Sequence, residues 1–192
     1  MKRFPLDYKP EWASPAEEYL EYAEVYKDAV LILLNEFTKQ EPIHDYALAP
    51  VLFLLRQYIE LQLKGIIMYF ESPATHRPIK AHDIFSLYRK THEVVEKRYK
   101  VPKANEEVSK FIEGLGKFDP KGEMFRYPET TIGEDFRDRC KRLDRKLYEQ
   151  ITLVPKLKEI TEKIFQDLEG LEVYLDFMKE SEEEAMIYYE PE

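Results

Sequence analysis

Three charged residues, Arg56, Glu60 and Lys64, interrupt the most apolar stretch of the chain at intervals of four residues. Steps of four place them on one stripe of a helix, and the apolar residues around them predict that this stripe is buried. A buried charge needs a partner, because leaving one unpaired costs several kcal/mol. The stripe is either an internal ion-pair ladder, which the usual behaviour of buried charges favours, or a polar groove that meets a ligand or a second subunit. In both cases we expect a partner from another helix, with His82 and Glu36 as candidates.

A histidine and an aspartate, His82 and Asp83, stand together at the start of a later amphipathic stretch. Asp83 suits the N-terminus of a helix, where the helix dipole stabilises a negative charge. His82 has three open roles, which are a helix cap, a hydrogen-bond donor to the core and a catalytic base. A lone histidine is more often structural than catalytic.

An arginine flanked by aromatic residues follows Asp119, in the run Phe125-Arg126-Tyr127-Pro128. A guanidinium in this setting can stack on the neighbouring rings or form paired hydrogen bonds with a carboxylate. One interpretation is that Arg126 and Tyr127 belong to a binding site. The other is that Arg126 pins this segment to the bundle by reaching Glu60.

The charge of the chain limits its partners. The formal net charge is −9 and the pI is about 5.2, which excludes a uniformly basic nucleic-acid-binding surface. Local basic patches are still compatible with these values. The densest basic patch has three open roles. It binds phosphates, it contacts the acidic C-terminal residues, or, as is commonest, it is solvated surface. It comprises Arg137, Arg139, Lys141, Arg142 and Arg145.

Several signatures of catalysis are absent from the sequence. It contains no Gly-rich nucleotide-binding loop, no HExxH, no Gly-x-Ser-x-Gly and no cysteine–histidine zinc spacing. The single cysteine, Cys140, forms neither an intrachain disulfide nor a cysteine-rich metal site. We therefore predict no cofactor, no metal ion and a reducing, cytoplasmic setting.

Helical periodicity dominates the chain. Apolar residues spaced three and four apart predict helices over 14–38, 46–71, 81–99, 105–117 and 154–180. The charged stripe argues against a membrane span over 48–70, because charges at a bilayer centre are costly. Gly170 lies inside the last predicted helix at a cost of about 1 kcal/mol relative to alanine, which close packing against a neighbour would explain.

The fold predicted from this pattern is all-α, an antiparallel bundle of four to five helices. The segment 119–152 is an irregular insertion in this prediction, because prolines and glycines crowd its first half. We expect a hairpin there that pairs 124–127 with 148–152. A single domain is predicted over 1–180, followed by an acidic, mobile tail over 181–192.

Three of these features, in this order, resemble the HEPN superfamily of helical bundle proteins. They are the run FLLRQYIELQLK over 53–64, His82-Asp83-Ile84, and Phe125-Arg126-Tyr127-Pro128 after Asp119. The similarity covers 47–128 and, in pattern, the helix that follows. The resemblance implies a bundle of four or five helices, frequent homodimers, and roles in RNA-related defence, stress response or toxin–antitoxin systems. The implied partners are RNA and a protein such as an antitoxin or an effector.

Active members of that superfamily are metal-independent ribonucleases with an Arg-x4–6-His motif. In that motif the histidine and the arginine act at the 2′-hydroxyl and the scissile phosphate. The run that fits the spacing here begins at Arg77 and ends at His82, which makes these two the candidate catalytic pair. Pro78 follows the arginine, where the family usually has a polar residue, and the run opens the third helix rather than a later one.

The leading expectation from the sequence is therefore a HEPN-like bundle that binds RNA or a partner protein. The alternatives are a metal-independent endoribonuclease and a structural oligomerisation module.

Overall fold

Six helices with defined bounds make up most of the described part of the chain. A computed structural model describes residues 14–39, 47–71, 79–100, 103–126, 138 and 140–187. No strand occurs among these residues, so the predicted all-α fold is confirmed, and none of their helices combines the length and apolarity of a membrane span. In chain order the helices are α1 (Pro15–Phe37), α2 (Leu48–Glu71), α3 (Ile84–Glu96), α4 (Glu106–Phe118), α5 (Arg145–Thr152) and α6 (Val154–Ile187).

Polar side chains cap the helices where the sequence marks their starts. At α1 the N–H of Glu17 donates to Ser14 Oγ at 3.3 Å, and the N–H of Ser14 donates to the Glu17 carboxylate at 2.8 Å. This reciprocal pair is the capping box that Ser14 and Glu17, three residues apart, predict in the sequence. At α4 the side chain of Asn105 accepts from the N–H groups of Glu107 and Val108.

The central helix of the bundle is α2, as its nearly all-apolar circumference predicts. It contacts α1, α3, α5 and α6. Leu55, Ile59 and Ile66 are fully buried on it. Tyr58 packs edge-on against Phe165 of α6, with ring centroids 4.8 Å apart. A charged side chain on this helix therefore has little access to solvent.

Two neighbouring helices, α2 and α3, run in the same direction within the bundle, so the antiparallel order predicted from the sequence does not hold for this pair. Near the start of α3, Arg56 Nη2 donates to the His82 carbonyl oxygen at 2.9 Å. Just after its end, Arg98 Nη2 donates to the Phe70 carbonyl oxygen at 3.1 Å. The neighbours α1 and α6, by contrast, are antiparallel, as their cross-links show. The shared direction of α2 and α3 brings the residues before α3 beside the charged stripe.

The hairpin predicted between 124–127 and 148–152 is wrong. Residues 145–152 form α5, whose N-cap Asp144 accepts from the N–H of Leu147 at 3.0 Å. Leu147 and Ile151, four residues apart, are both buried. The β-branched pair Ile151-Thr152 favours a strand locally, but burial of one helical face outweighs that preference. Residues 124–126 form turns, and Tyr127 lies outside the described residues.

The last helix is longer than predicted. It continues to Ile187, past the predicted boundary at 180, so residues 181–187 of the predicted tail are helical. Residues 188–192 lie outside the described residues.

Two helical glycines have opposite surroundings. A Cβ at Gly65 of α2 would lie 2.6 Å from Leu20 Cδ2 and 3.2 Å from the Ala16 carbonyl oxygen, both on α1. This glycine permits the close approach of the two helices. A Cβ at Gly170 of α6 would meet nothing within 4 Å, so the close packing expected there is wrong.

Gly170→Ala is expected to raise the free energy of unfolding by about 0.5–1 kcal/mol, because alanine favours the helix and meets no obstacle. The same substitution at Gly65 is expected to lower it by about 1–3 kcal/mol, because the new methyl group overlaps Leu20. Urea denaturation followed by circular dichroism measures both values. A loss of stability in Gly170→Ala would contradict the open surroundings of this residue.

Candidate functional site

The buried arginine Arg56 joins three separate parts of the chain. Its side chain is 1% exposed. Nη1 donates to Glu60 Oε2 at 3.0 Å, and Nη2 donates to the His82 carbonyl oxygen at 2.9 Å. Nε donates to the Asp119 carbonyl oxygen at 3.3 Å, and Asp119 Oδ2 lies 3.7 Å from it. The planar guanidinium thus ties α2 to the residue before the α3 cap and to the end of α4.

The carboxylate of Glu60 is the shared acceptor of this cluster. Besides the arginine, it accepts from Lys64 Nζ at 2.8 Å, and the same oxygen lies 2.9 Å from His82 Nδ1. The His82 side chain is 64% exposed, so it lies at the surface while Nδ1 faces the buried carboxylate. The partnership with His82 is confirmed, whereas Glu36 pairs with Lys39 on the surface of α1.

The buried charges of the cluster balance one another. Arg56 and Lys64 are matched by Glu60 and Asp119, and all four are buried. Burial by itself raises the pKa of Glu60, but hydrogen bonds from Lys64 and His82 and the charge of Arg56 outweigh it. The pKa therefore lies below its ordinary value of 4.5, and the carboxylate is ionised at neutral pH.

The turn after α4 supplies the second carboxylate. Asp119 Oδ1 accepts from the N–H groups of Glu123 at 2.8 Å and Met124 at 3.1 Å, which folds the turn back over Arg56. Gly122 in this turn has a φ of 69°, in the left-handed region. A Cβ at Gly122 would lie 3.0 Å from Arg56 Nη1. Backbone conformation and close approach thus both require glycine here.

Arg126 lies at the outer edge of the cluster. Its side chain is exposed, and its Cζ lies 5.2 Å from the centroid of the Phe53 ring on α2. A Cβ added to Gly122 would lie 3.6 Å from Arg126 Nη2 and 3.0 Å from Arg56 Nη1, so both guanidinium groups approach this glycine. Arg126 therefore pins the turn through Phe53 rather than through Glu60.

Asp83 has a structural role as the N-cap of α3. Its carboxylate accepts from the N–H groups of Phe85 and Ser86 and from Ser86 Oγ at 2.6 Å. The hydrogen bond from the Ser86 side chain, against the opposing effect of burial, lowers the pKa of Asp83. This cap fixes the start of α3 and with it the position of His82.

Four predicted site residues, Arg77, Tyr127, Arg137 and Arg139, lie outside the described residues. Of the candidate catalytic pair, the structure thus places only His82. In the basic patch, Lys141 pairs with Asp138 at 2.6 Å and Arg145 pairs with Glu149 at 2.8 Å. Arg142 is exposed beside them. Neighbouring carboxylates therefore compensate part of the charge of this patch.

Comparison with known proteins adds no assignment to this geometry. No family model, curated protein or solved structure matches the chain.

In the ranges that the structure describes, no group of three or more histidine, cysteine, aspartate and glutamate side chains is arranged to hold a metal ion. Two exposed groups at the cluster are available for chemistry. They are the imidazole of His82, which is next to the Glu60 carboxylate, and the guanidinium of Arg126.

Sequence analysis missed Asp119 as the buried partner of Arg56. Asp119 is followed by Pro120, Lys121 and Gly122, a composition typical of a turn. In such turns the aspartate side chain accepts from backbone N–H groups a few residues later, as it does here. That signal locates the turn, but only the fold shows that the turn closes over α2.

Glu60→Gln is expected to lower the free energy of unfolding by about 3–5 kcal/mol at neutral pH, because it leaves Arg56 and Lys64 buried with one carboxylate between them. Glu93→Gln is the matched control, since it removes one carboxylate from an exposed pair with Lys97 on α3. The control is expected to unfold close to wild type. Equal losses in the two variants, measured by urea denaturation, would contradict the buried cluster.

The stability difference between wild type and Glu60→Gln is also expected to shrink in acid. The pKa of Glu60 in the folded chain lies below its ordinary value of 4.5. Its ionised form therefore stabilises the fold above that value, and the contribution is lost as the pH falls through the lower, folded pKa. Unfolding measured from neutral pH to about pH 3 checks this, and a difference that stays constant would disprove it.

Proposed function

We propose that this chain is a HEPN-like helical bundle that binds RNA, with His82 and Arg126 facing the phosphate backbone. The arrangement of His82 carries the proposal. Its side chain is 64% exposed, while Nδ1 lies 2.9 Å from the buried Glu60 carboxylate. A group held in this way has a fixed orientation at the surface, as recognition of a phosphate or a 2′-hydroxyl requires.

The position of Arg126 supports the same surface. Its exposed guanidinium lies over the Phe53 ring and, like that of the buried Arg56, approaches Gly122. An arginine held by an aromatic ring loses little further freedom when it binds a phosphate. Both residues lie near the buried Arg56, His82 through its carbonyl oxygen and Arg126 at Gly122.

The convergence of three motifs supports the likeness to the HEPN superfamily. Arg56 on α2 contacts His82, 26 residues away in sequence, and Asp119, 63 residues away. Arg56, His82 and Arg126, one residue from each motif, therefore lie at one cluster in space. On this proposal the chain acts in the cytoplasm as a homodimer, in phage defence, a stress response or a toxin–antitoxin system, alone or with a protein partner.

Arg126→Gln is expected to weaken binding of labelled single-stranded RNA, and His82→Gln is expected to weaken it as well. Removing one phosphate contact should also reduce the slope of log affinity against log salt by about 0.7. Fluorescence anisotropy over a salt series measures both effects. Lys110→Gln is the control, because Lys110 is an exposed lysine paired with Glu106 on α4. The absence of RNA binding at low salt in the wild-type chain would overturn the proposal.

A second candidate function is metal-independent cleavage of RNA, with His82 as the general acid or base and Arg77 at the phosphate. The pairing of Glu60 with His82 favours it, because a carboxylate that orients an imidazole is a recurring device in proton transfer. Cleavage is expected to survive EDTA and to fall by at least about 100-fold in His82→Ala. Undiminished cleavage in that variant would remove this assignment.

A further inference from the structure

The outer face of α1 carries a row of exposed apolar side chains. Tyr22, Val25 and Ile32 are 66%, 67% and 63% exposed, and the half-buried Ala29 lies between the last two. Single exposed apolar residues are common on protein surfaces, but aligned ones mark binding surfaces. Steps of three, four and three residues place these four on one stripe of the helix, which we call the α1 seam.

The α1 seam faces away from the bundle and away from the Arg56 cluster. On the opposite face of α1, Ala23, Val30 and Leu34 are buried, and the helix packs on α2 and α6. Gly65, which permits the close approach of α1, follows Arg56 on α2 by nine residues, or about two and a half helical turns. The two residues therefore project from opposite sides of α2.

The spacing of the α1 seam is that of a coiled coil. Apolar residues in alternating steps of three and four are the a and d positions of a heptad, and a second helix packs its own a and d residues against them. From Tyr22 to Ile32 the helix rises about 15 Å, which is enough for about three turns of a partner helix. The seam therefore fits one short amphipathic helix.

The charges of α1 determine which helix fits. It contains one lysine and six acidic residues, which are Glu17, Glu18, Glu21, Glu24, Asp28 and Glu36. Lys27 pairs with Glu24 and with Glu169 of α6, so its charge is already matched. Glu21 and Asp28 are exposed along one flank of the seam, at the g positions of the heptad. Charge complementarity therefore requires basic residues on the partner helix.

We propose that the α1 seam docks a basic amphipathic helix of a partner protein, with lysine or arginine beside Glu21 and Asp28. The apolar a and d residues of that helix pack on Tyr22, Val25 and Ile32. A second copy of this chain fits less well, because it would bring the same acidic flank and a net charge of −9 to the interface. The same carboxylates repel RNA and anionic lipid.

The test uses labelled synthetic helices whose binding to the full chain is followed by fluorescence anisotropy. One peptide has about three heptads with leucine at a and d and lysine at e and g, and a second has glutamate in place of the lysines. The lysine peptide is expected to bind with a dissociation constant of about 100 μM or lower. The glutamate peptide should bind at least about tenfold more weakly.

Tyr22→Lys places a cation in the seam and should weaken binding of the lysine peptide by at least about tenfold. Tyr148→Lys is the matched control, because Tyr148 is 45% exposed on α5 and the variant changes the net charge by the same amount. It should bind like wild type. The double variant Glu21→Lys with Asp28→Lys should reverse the preference, so that the glutamate peptide binds more tightly than the lysine peptide.

Three results would overturn the proposal. One is that the lysine peptide does not bind the wild-type chain at low salt. Another is that Tyr22→Lys, folded as judged by circular dichroism, binds it as well as Tyr148→Lys does. The third is a dimer, detected by light scattering, that Tyr22→Lys separates and the lysine peptide does not, since this would assign the seam to a second copy.

Failure of the proposed RNA surface is distinguishable from failure of the α1 seam. Arg126→Gln and His82→Gln should leave peptide binding unchanged, and Tyr22→Lys should not weaken RNA binding.

Discussion

The carboxylate of Glu60, held inside the bundle among Arg56, Lys64 and His82, is the interaction on which the rest of the fold depends. An ionised carboxylate at the centre of an apolar helix is stable only if cations reach it. That requirement fixes where the start of α3 lies. The arginine drawn in by the carboxylate needs further acceptors, and it finds them at the His82 carbonyl and at Asp119. One buried anion thus determines how three segments meet.

The same constraint accounts for the chemistry at the surface. Because the interior charges are balanced, the groups at the edge of the cluster are available for a ligand. His82 has one ring nitrogen beside the buried carboxylate and a side chain that is largely exposed, and Arg126 lies outside the turn closed by Gly122. The buried charges of the cluster therefore stabilise the fold, and the exposed groups next to them are the candidate ligand-binding groups.

Much of the fold could be predicted from local patterns. The capping box at Ser14, the all-round apolar α2 and the stripe of Arg56, Glu60 and Lys64 each depend on residues a few positions apart, and each is confirmed. The helix α5 was missed because its eight residues carry too short a pattern to outweigh β-branched residues at its end. The end of α6 was placed too early, because the acidic composition after residue 180 is typical of a tail.

The two contacts that sequence analysis missed were missed for the same physical reason. Asp119 pairs with Arg56 across 63 residues, and Asp167 approaches His92 across a gap of similar length, so no local spacing reports either contact. Only the packing of the helices creates them. The runs around Arg56 and His82 were singled out in the sequence, but their contact follows from the shared direction of α2 and α3.

The most direct test of the balanced cluster is a double-mutant cycle between Arg56→Met and Asp119→Asn, with the free energy of unfolding measured by urea denaturation. Each single variant leaves one uncompensated buried charge, whereas the double variant is neutral again. The account predicts that the double variant is more stable than the sum of the single losses implies, by about 1–3 kcal/mol. Strictly additive losses would contradict it, because they would mean that the two buried charges do not interact.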